Sequence, residues 1–536
     1  MEKQPENKKH PRALEPFTLL LTIGLSVIGA IIGMQLIVTL GISANTAIIG
    51  ALIAMVISRI PVTLFRKYRS VHRQNLIQTA ISSATFGAGN SLMIPIGIPF
   101  MMGHHELIIP MLIGAVLAMF VDAAILYRLF DSKVFPASGA WPPGIATAES
   151  IKAGDQGGKR AGWLGLGALG GIAGSAMGIP MSAFGVAFIG NIWALLMFGV
   201  GLLLRGYSVP LFGVDVNKLY IPHGFMIGAG VVALIQVTTI ILKKKKTDAA
   251  SAVEKEEPYT RTEKDTSRAL GFGFIAYLVI ALIIALIIAI IGGVITKMSF
   301  GMLLLFLLFA AFAAFVHEVI VGIAAMHSGW FPAFAVALIT LIIGILIGFP
   351  PLALGLLVGF SAATGPAFAD MGYDLKTGYI LRGNGEDMAY ELDGRKQQFI
   401  AGMIAFGVAA IAVLIAYKGY FAQNLVPPVD KVYAATIEAG VSGDIARQLF
   451  LWAIPGAILQ IVGGSKRQMG VLFATGLLLL NVPAGWAVLA GIVIRAVVLK
   501  VRGKQAETTM SILAAGFIAG DALYSFFSSV FKLKKL

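Results

Sequence analysis

Long apolar runs recur from one end of this 536-residue chain to the other, and they restrict its fold more than any motif does. A membrane-spanning helix needs about 20 largely apolar residues, and roughly sixteen runs approach that length. Only 13% of the residues are charged and the mean hydropathy is +0.86, whereas soluble domains carry about 25% charged residues. The pattern predicts an all-α polytopic membrane protein with about 14–16 transmembrane helices, some of them broken or re-entrant.

Charged segments between the apolar runs divide the chain into parts. We expect a cytoplasmic N-terminal tail at 1–16, a first transmembrane half at 17–242, a charged cytoplasmic linker at 243–268, a second half at 269–531 and a basic tail at 532–536. Basic residues collect on the cytoplasmic side, so both termini are expected to face the cytoplasm from a plasma or inner membrane. The net charge of +14 then reflects topology in a lipid bilayer and not a nucleic-acid partner.

Motifs for catalysis are incomplete. GLGALG at 165–170 lies inside an apolar run and lacks the later acidic residue that a dinucleotide site needs. His317 and Glu318 would need a histidine at position 321 for a zinc protease motif, and Val321 stands there. Cysteine is absent, and so is a phosphate-binding loop of the ATPase type. We therefore expect no enzymatic activity, cofactor or resident metal, and an ion gradient as the driving force.

Polar residues at membrane depth are the candidate functional groups, because inserting them costs free energy. Asn75, Gln78 and Thr79 have the spacing that places side chains on one face of a helix. That face indicates either the lining of a cavity or a polar seam between helices. Glu149 and Lys152 are three residues apart, and they form either part of the same cavity or an ordinary surface ion pair.

Further carboxyl groups lie in the second half. Asp370 and Asp374 follow the break at Gly365-Pro366 and would share one helix face, with Lys376 nearby. They suit binding of a cation, a proton or a substrate amine, unless the segment is only a loop. Glu318 is either a proton carrier or a buried structural group. Asp521 lies near the middle of the last apolar run, and Arg495 is its expected partner.

Weak internal similarity suggests two related halves. IKAG at 151–154 resembles LKTG at 375–378, and HGFMIGAG at 223–230 resembles AGFIAGDA at 515–522. Transporters are commonly built from two such repeats. An even number of spans in each half would make the repeats parallel and an odd number would make them inverted. The sequence leaves that choice open.

Four segments together resemble the oligopeptide transporter family, which includes the yellow-stripe-like metal-chelate carriers, and the chain looks like a prokaryotic-type member. They are RQNLIQTAISSA at 73–84, the part of FPASGAWPPGIATAESIKAGD that follows Pro143, FADMGYDLKTGY at 368–379, and LAAGFIAGDAL at 513–523. They occur in family order across most of the chain. Gln74 replaces an acidic residue of the family pattern, and the region of Ser138–Pro143 diverges from it.

The resemblance implies a proton-coupled symporter with about sixteen spans that carries short peptides or metal chelates. In this mechanism the amides at 75 and 78 and the hydroxyl of Thr79 bind substrate, while Glu149, Asp370 and Asp374 bind its positive end or the coupling proton. Lys152 and Lys376 balance these charges. A transporter of another small polar solute, a channel and a homo-oligomer stay open.

Overall fold

The computed structural model describes residues 9–40, 47, 50–51, 53–55, 63–242, 259–290, 298–329, 333–440 and 443–533. Within these ranges the chain is helical apart from its turns and one isolated bridge between Phe130 and Phe135. The helices of the first half are Pro16–Leu40 (α1), Val71–Phe86 (α2), Ile94–Met101 (α3), Ile108–Leu129 (α4), Pro142–Gln156 (α5), Gly158–Ala176 (α6), Met181–Ile189 (α7), Ile192–Phe212 (α8) and Ile221–Leu242 (α9).

The second half is helical to the same degree. Its helices are Glu263–Ile290 (α10), Phe300–Ser328 (α11), Ala333–Ile347 (α12), Pro351–Ala363 (α13), Pro366–Leu381 (α14), Met388–Ala422 (α15), Pro428–Ala439 (α16), Gly443–Arg467 (α17), Met469–Leu478 (α18), Val482–Arg502 (α19) and Ala506–Leu533 (α20). Most of the predicted linker, residues 243–258, lies outside the described residues. Helix α10 begins at Glu263, ahead of the predicted boundary at 269.

Eight segments of the described chain are long and apolar enough to cross a membrane. They are Pro16–Val38, His105–Leu129, Ile192–Phe212, Glu263–Ile287, Phe300–His327, Pro351–Leu381, Met388–Ala422 and Val482–Arg502. Shorter apolar helices such as Met469–Leu478 lie between them. The prediction of an all-α polytopic membrane protein is confirmed, and broken helices explain why many predicted spans are not single long rods.

A helix with a π-helical turn, from the first half, and a broken helix, from the second half, lie at the centre of the bundle. Helix α2 passes through a π-helical turn at Gly87–Met93 before α3 begins, and all seven residues of that turn are buried. Helices α13 and α14 are separated at Thr364 and Gly365, where Gly365 has a φ of 95°. Only glycine adopts that backbone conformation without strain. A break of this kind frees backbone groups inside the bundle, where other protein groups must satisfy them.

The two halves run in opposite directions, as inverted repeats. In each half an interrupted helix, with a π-helical turn in the first half and a break in the second, is followed by a long helix, a short helix that begins with proline, and a group of four helices. Gln78 and Ser82 of α2 meet Asp374 and Asp370 of α14 in reverse order. Helices α4 and α15 also cross antiparallel, because Tyr127 stacks on Phe399 while Phe120 meets Phe406. Of the two orientations that the sequence left open, the structure therefore shows the inverted one.

One of the two sequence similarities marks equivalent positions. HGFMIGAG lies in α9 and AGFIAGDA in α20, the last helices of the two groups of four. Gly228 packs against the backbone of α17 at Ala453, and Gly520 packs against the backbone of α6 at Ala168. The other pair, IKAG and LKTG, falls in α5 and α14, which are not equivalent helices.

The contacts of α20 with α6 define its direction in the bundle, and the side of the membrane that its C-terminus faces stays a prediction. Helix α20 runs parallel to α6, because Gly167 meets Gly516 and Gly171 meets Gly520. Helix α6 starts beside α5, where Arg160 bonds to Glu149. The C-terminal end of α20 therefore points away from that end of the bundle. The short α18 enters the bundle before α19, and this alters the number of full crossings that a count of apolar runs suggests.

We expect Gly171→Val to destabilise the protein, because a Cβ at this position would lie 2.5 Å from the carbonyl oxygen of Phe517. Overpacking of this kind costs about 1–3 kcal/mol. Gly165 is the matched control, since it lies on the same helix and a Cβ there meets nothing within 4 Å. Thermal unfolding in detergent should show a lower melting temperature for Gly171→Val only. Equal melting temperatures would contradict the α6–α20 contact.

Candidate functional site

Two buried carboxylates from α14 face a polar stripe on α2. Gln78 donates from Nε2 to Oδ1 of Asp374 at 2.6 Å. The Ser82 hydroxyl donates to Oδ1 of Asp370 at 2.6 Å, and the Ser83 hydroxyl to Oδ2 of Asp374 at 3.3 Å. Both aspartates are fully buried. Residues far apart in the sequence thus form one polar cluster between the two halves, which we call the α2–α14 cluster.

Amide side chains position the donors of this cluster. Asn75 donates to Oε1 of Gln78 at 3.0 Å and so orients the Gln78 amide toward Asp374. Gln398 of α15 donates to the Thr79 hydroxyl at 3.2 Å and to the carbonyl oxygen of Asp374 at 2.6 Å. The predicted shared face of Asn75, Gln78 and Thr79 is present. Gln398 was not predicted, because a glutamine near the start of a long apolar run carries little signal.

One oxygen of the α2–α14 cluster has no hydrogen-bond donor among the described residues. Oδ2 of Asp370 is buried and makes no hydrogen bond among the described residues. A buried carboxylate oxygen without a partner is costly unless a proton or a ligand satisfies it. The cluster therefore combines negative charge, amide and hydroxyl groups, and one open acceptor. That chemistry suits a ligand with an ammonium group and amide groups.

Lys376 connects α14 to the segment between α4 and α5. Its Nζ donates to the carbonyl oxygen of Ala137 at 2.7 Å and lies 5.4 Å from the ring of Tyr379. The next residue, Thr377, donates to the carbonyl oxygen of Gly144 at 3.1 Å. These bonds hold α14 against the start of α5. The role of Lys376 as a charge-balancing group stays a prediction.

Glu149 belongs to a different group of charges. Arg160 donates to its Oε2 at 2.5 Å, and Lys152 lies 3.6 Å from its Oε1. The predicted Glu149–Lys152 pair is therefore present, with Arg160 as a closer partner that spacing alone did not indicate. Glu149 is buried, whereas the side chains of Lys152 and Arg160 are partly exposed. A role for Glu149 or Lys152 in substrate binding stays a prediction.

Glu318 lies in a second buried carboxyl cluster. The Tyr277 hydroxyl of α10 is 2.6 Å from Oε2 of Glu318 and 3.1 Å from Oδ1 of Asp122. Oδ2 of Asp122 accepts the backbone N–H groups of Gly365 and Phe368 at 2.7 and 3.0 Å. Asp122 was not predicted, although an aspartate within an apolar run was a usable signal. The Asp122 carboxyl group thus bonds the backbone N–H groups at the start of α14.

His317 turns away from this carboxyl cluster. Its Nδ1 lies 3.1 Å from the Thr364 hydroxyl, and its Nε2 lies 2.8 Å from the carbonyl oxygen of Ala333. His327 bonds through Nδ1 to the carbonyl oxygen of Ile323. No group of three or more metal-ligating side chains occurs among the described residues. The two histidines therefore hold helix ends and turns in place.

Asp521 does not pair with Arg495, so that prediction was wrong. Asp521 accepts the Ser182 backbone N–H at 2.8 Å and the Ser175 hydroxyl, at the start of α7. Arg495 donates to the carbonyl oxygens of Ala187 and Gly190 at the other end of α7. Each charge satisfies one end of a helix that begins and ends inside the bundle. Asp521 and Arg495 therefore bond to opposite ends of α7 and not to each other.

An ionic network at the start of α15 was also missed. Glu391 accepts from Arg382 at 2.6 Å and from Arg395 at 2.7 Å, and all three side chains are almost fully buried. Arg395 reaches Asp131 at 3.2 Å, and the Thr260 hydroxyl donates to the same Asp131 oxygen. Burial raises the pKa of Asp131, but Thr260 and Arg395 outweigh burial and hold this pKa below its usual value. The network joins the two halves to the described end of the linker.

Comparison with known families agrees with this architecture. The family model described as OPT oligopeptide transporter protein matches residues 16–209 and 179–532. No curated protein matches the chain. The two matched stretches together cover nearly all of the helices described above.

We expect Asp521→Ala to destabilise the protein, because the Ser182 N–H at the start of α7 loses its acceptor. Loss of a helix cap costs about 0.5–2 kcal/mol. Asp521→Asn keeps an acceptor oxygen and should retain most of the stability. Glu507→Ala, an exposed acidic position on the same helix, is the control. Thermal unfolding in detergent measures the difference, and an unchanged melting temperature for Asp521→Ala would refute the capping role.

Proposed function

The chain belongs to the oligopeptide transporter family, and we propose from this premise that it moves short peptides across the membrane by proton-coupled alternating access. The main support is the buried pair Asp370 and Asp374 in the α2–α14 cluster. Inverted repeats commonly place a substrate site at their interface, on broken helices. The α2–α14 cluster lies at such an interface.

A short peptide matches the chemistry of this cluster. Its protonated amino terminus is attracted to the two carboxylates, and the free Oδ2 of Asp370 can accept one of its N–H groups. Peptide carbonyl oxygens can accept from the amides of Asn75 and Gln78, and peptide N–H groups can donate to the Thr79 hydroxyl. The hydroxyls of Ser82 and Ser83 donate to these two carboxylates. Binding would exchange these bonds for bonds to the substrate.

Alternating access would use the two inverted halves. Helices α2 and α14 come from different halves and meet through the α2–α14 cluster, so relative rotation of the halves opens the cluster to one side at a time. The ion pair between Arg395 of the second half and Asp131 of the first half then separates and re-forms at one end. By the positive-inside rule we assign that end, together with the N-terminal tail, to the cytoplasm of a plasma or inner membrane.

Metal chelates are the second substrate class of the family resemblance. A chelate brings its own ligands, so it needs no metal-binding side chains from the protein. Many chelators carry several carboxylates, and two buried aspartates repel such an anion. The charge of the α2–α14 cluster therefore favours a peptide with a free amino terminus over an anionic chelate. A channel would need a continuous open pore and would not concentrate its solute.

Uptake into proteoliposomes under an inward proton gradient tests substrate class and coupling together. We expect accumulation of one or more di- to pentapeptides, loss of accumulation with a protonophore, and weaker uptake of N-acetylated versions of the same peptides. Iron and nickel chelates serve as the alternative class. Accumulation of chelates alone would contradict the peptide assignment, and protonophore-insensitive equilibration would indicate a channel.

We expect Asp374→Asn to abolish peptide accumulation, because the amide removes a negative charge and replaces one of the two acceptor oxygens that face Gln78 and Ser83 with a donor. A buried polar group left without its hydrogen-bond partner costs about 1–3 kcal/mol. Asp155→Asn, an exposed acidic position at the end of α5, is the matched control. Both variants are compared at equal incorporation and with their thermal stability measured. Wild-type uptake by a folded Asp374→Asn protein would remove this residue from the site.

A further inference from the structure

We propose that Asp122, Tyr277 and Glu318 form the site that binds the coupling proton, separate from the α2–α14 cluster. This assignment rests on the proposed transport function. The three residues come from α4, α10 and α11, and each is fully buried. They are joined through the single phenolic oxygen of Tyr277. Below we call them the carboxyl–phenol triad.

Counting hydrogens indicates where the proton lies. The phenol of Tyr277 has one hydrogen, yet its oxygen is 2.6 Å from a Glu318 oxygen and 3.1 Å from an Asp122 oxygen. Two hydrogen bonds at one hydroxyl need a second hydrogen from one of the two carboxyl groups. A chain in which Glu318 donates to Tyr277 and Tyr277 donates to Asp122 satisfies both contacts.

The surroundings decide which carboxyl group carries this hydrogen. Oδ2 of Asp122 accepts two backbone N–H groups at the start of α14, an arrangement that stabilises a carboxylate. Among the described residues, Oε1 of Glu318 is buried and accepts from no N–H or hydroxyl group, and the Glu318 carboxyl group also contacts the Asp122 carboxyl group directly. An ionised Glu318 would leave a charged oxygen unsatisfied, whereas a protonated Glu318 leaves only a neutral carbonyl oxygen. Glu318 is therefore the proton-binding residue, and Asp122 carries the fixed negative charge.

The groups that face Glu318 support reversible binding. Its electrostatic partners among the described residues are Asp122 and Tyr277, and neither is a cation. On its own helix, His317 points to Thr364 and to the carbonyl oxygen of Ala333. Without a paired Lys or Arg among these partners, loss of the proton leaves two carboxylates that share one phenolic hydrogen. Their repulsion makes that state costly in this conformation.

The triad is mechanically connected to the α2–α14 cluster. Asp122 holds the first turn of α14 through Gly365 and Phe368. The same helix carries Asp370 and Asp374 within its next turns. Release of the proton from Glu318 to water on one side places a second negative charge beside Asp122. That charge changes the cap of α14 and, with it, the position of the carboxylates proposed to bind the peptide amino terminus.

Two transport assays with tetra-alanine separate coupling from binding. In proteoliposomes, Glu318→Gln should lose proton-driven accumulation of radiolabelled tetra-alanine but retain its exchange in counterflow. Glu318→Asp keeps a titratable proton and should recover part of the accumulation. Glu263→Gln, an exposed acidic position on the helix of Tyr277, should match wild type. Full proton-driven accumulation by Glu318→Gln would overturn the assignment.

An infrared measurement tests the triad without any substrate. The wild-type minus Glu318→Gln difference spectrum should contain the carbonyl-stretch band of a protonated carboxylic acid near neutral pH, because other buried carboxyl groups such as Asp430 absorb equally in both proteins. Tyr277→Phe should shift the pH at which this band disappears, because the bridge between the two carboxyl groups is removed. A band unchanged in Glu318→Gln would overturn the proton site. Failure of the wild-type protein to transport any peptide would instead overturn the proposed function. The infrared comparison would still decide whether Glu318 binds a proton.

Discussion

Helices that begin inside the bundle must have their first N–H groups satisfied by protein, because a lipid bilayer supplies no hydrogen-bond acceptors. In the described part of the chain, three such helices donate their first N–H groups to a polar side chain from another helix. Asp122 accepts from the start of α14, and Asp521 accepts from the start of α7. Gln460 accepts from Gly470 and Val471 at the start of α18. The re-entrant architecture depends on these caps, since each break would otherwise leave orphan donors in an apolar interior.

The cap on α14 differs from the other two in what lies next to it. Asp122 shares a phenol with a second buried carboxyl group, Glu318. Helix α14 itself carries the carboxylates that face Gln78 and Ser82. The break before α14 needs a cap, and Asp122 supplies it. The capping charge, the proposed proton site and the proposed ligand site therefore all lie beside α14. Proton binding at one end of that element and peptide binding along it then act on the same helix.

Helical spacing predicted the local parts of the site well. Asn75, Gln78 and Thr79 share a face, and Asp370 and Asp374 share another, as the periodicity of three to four residues requires. Contacts between different helices were harder to predict from the sequence. Asp521 was assigned Arg495 as a partner because opposite charges in apolar surroundings usually pair, but both serve the ends of α7. Asp122 stands alone in its apolar run, so the sequence marks it as a polar residue at membrane depth but does not indicate the helix start that it caps.

The sequence by itself determined that this chain is an all-helical membrane protein, because apolar runs of such length leave backbone groups only helices in which to bond. It also determined the family resemblance, since the matching motifs are local strings. Tertiary structure alone decided that the halves are inverted and that α2 faces α14. It also decided which buried carboxyl group meets which donor. These facts depend on distances between residues hundreds of positions apart, such as Gln78 and Asp374, and no periodicity along the chain encodes them.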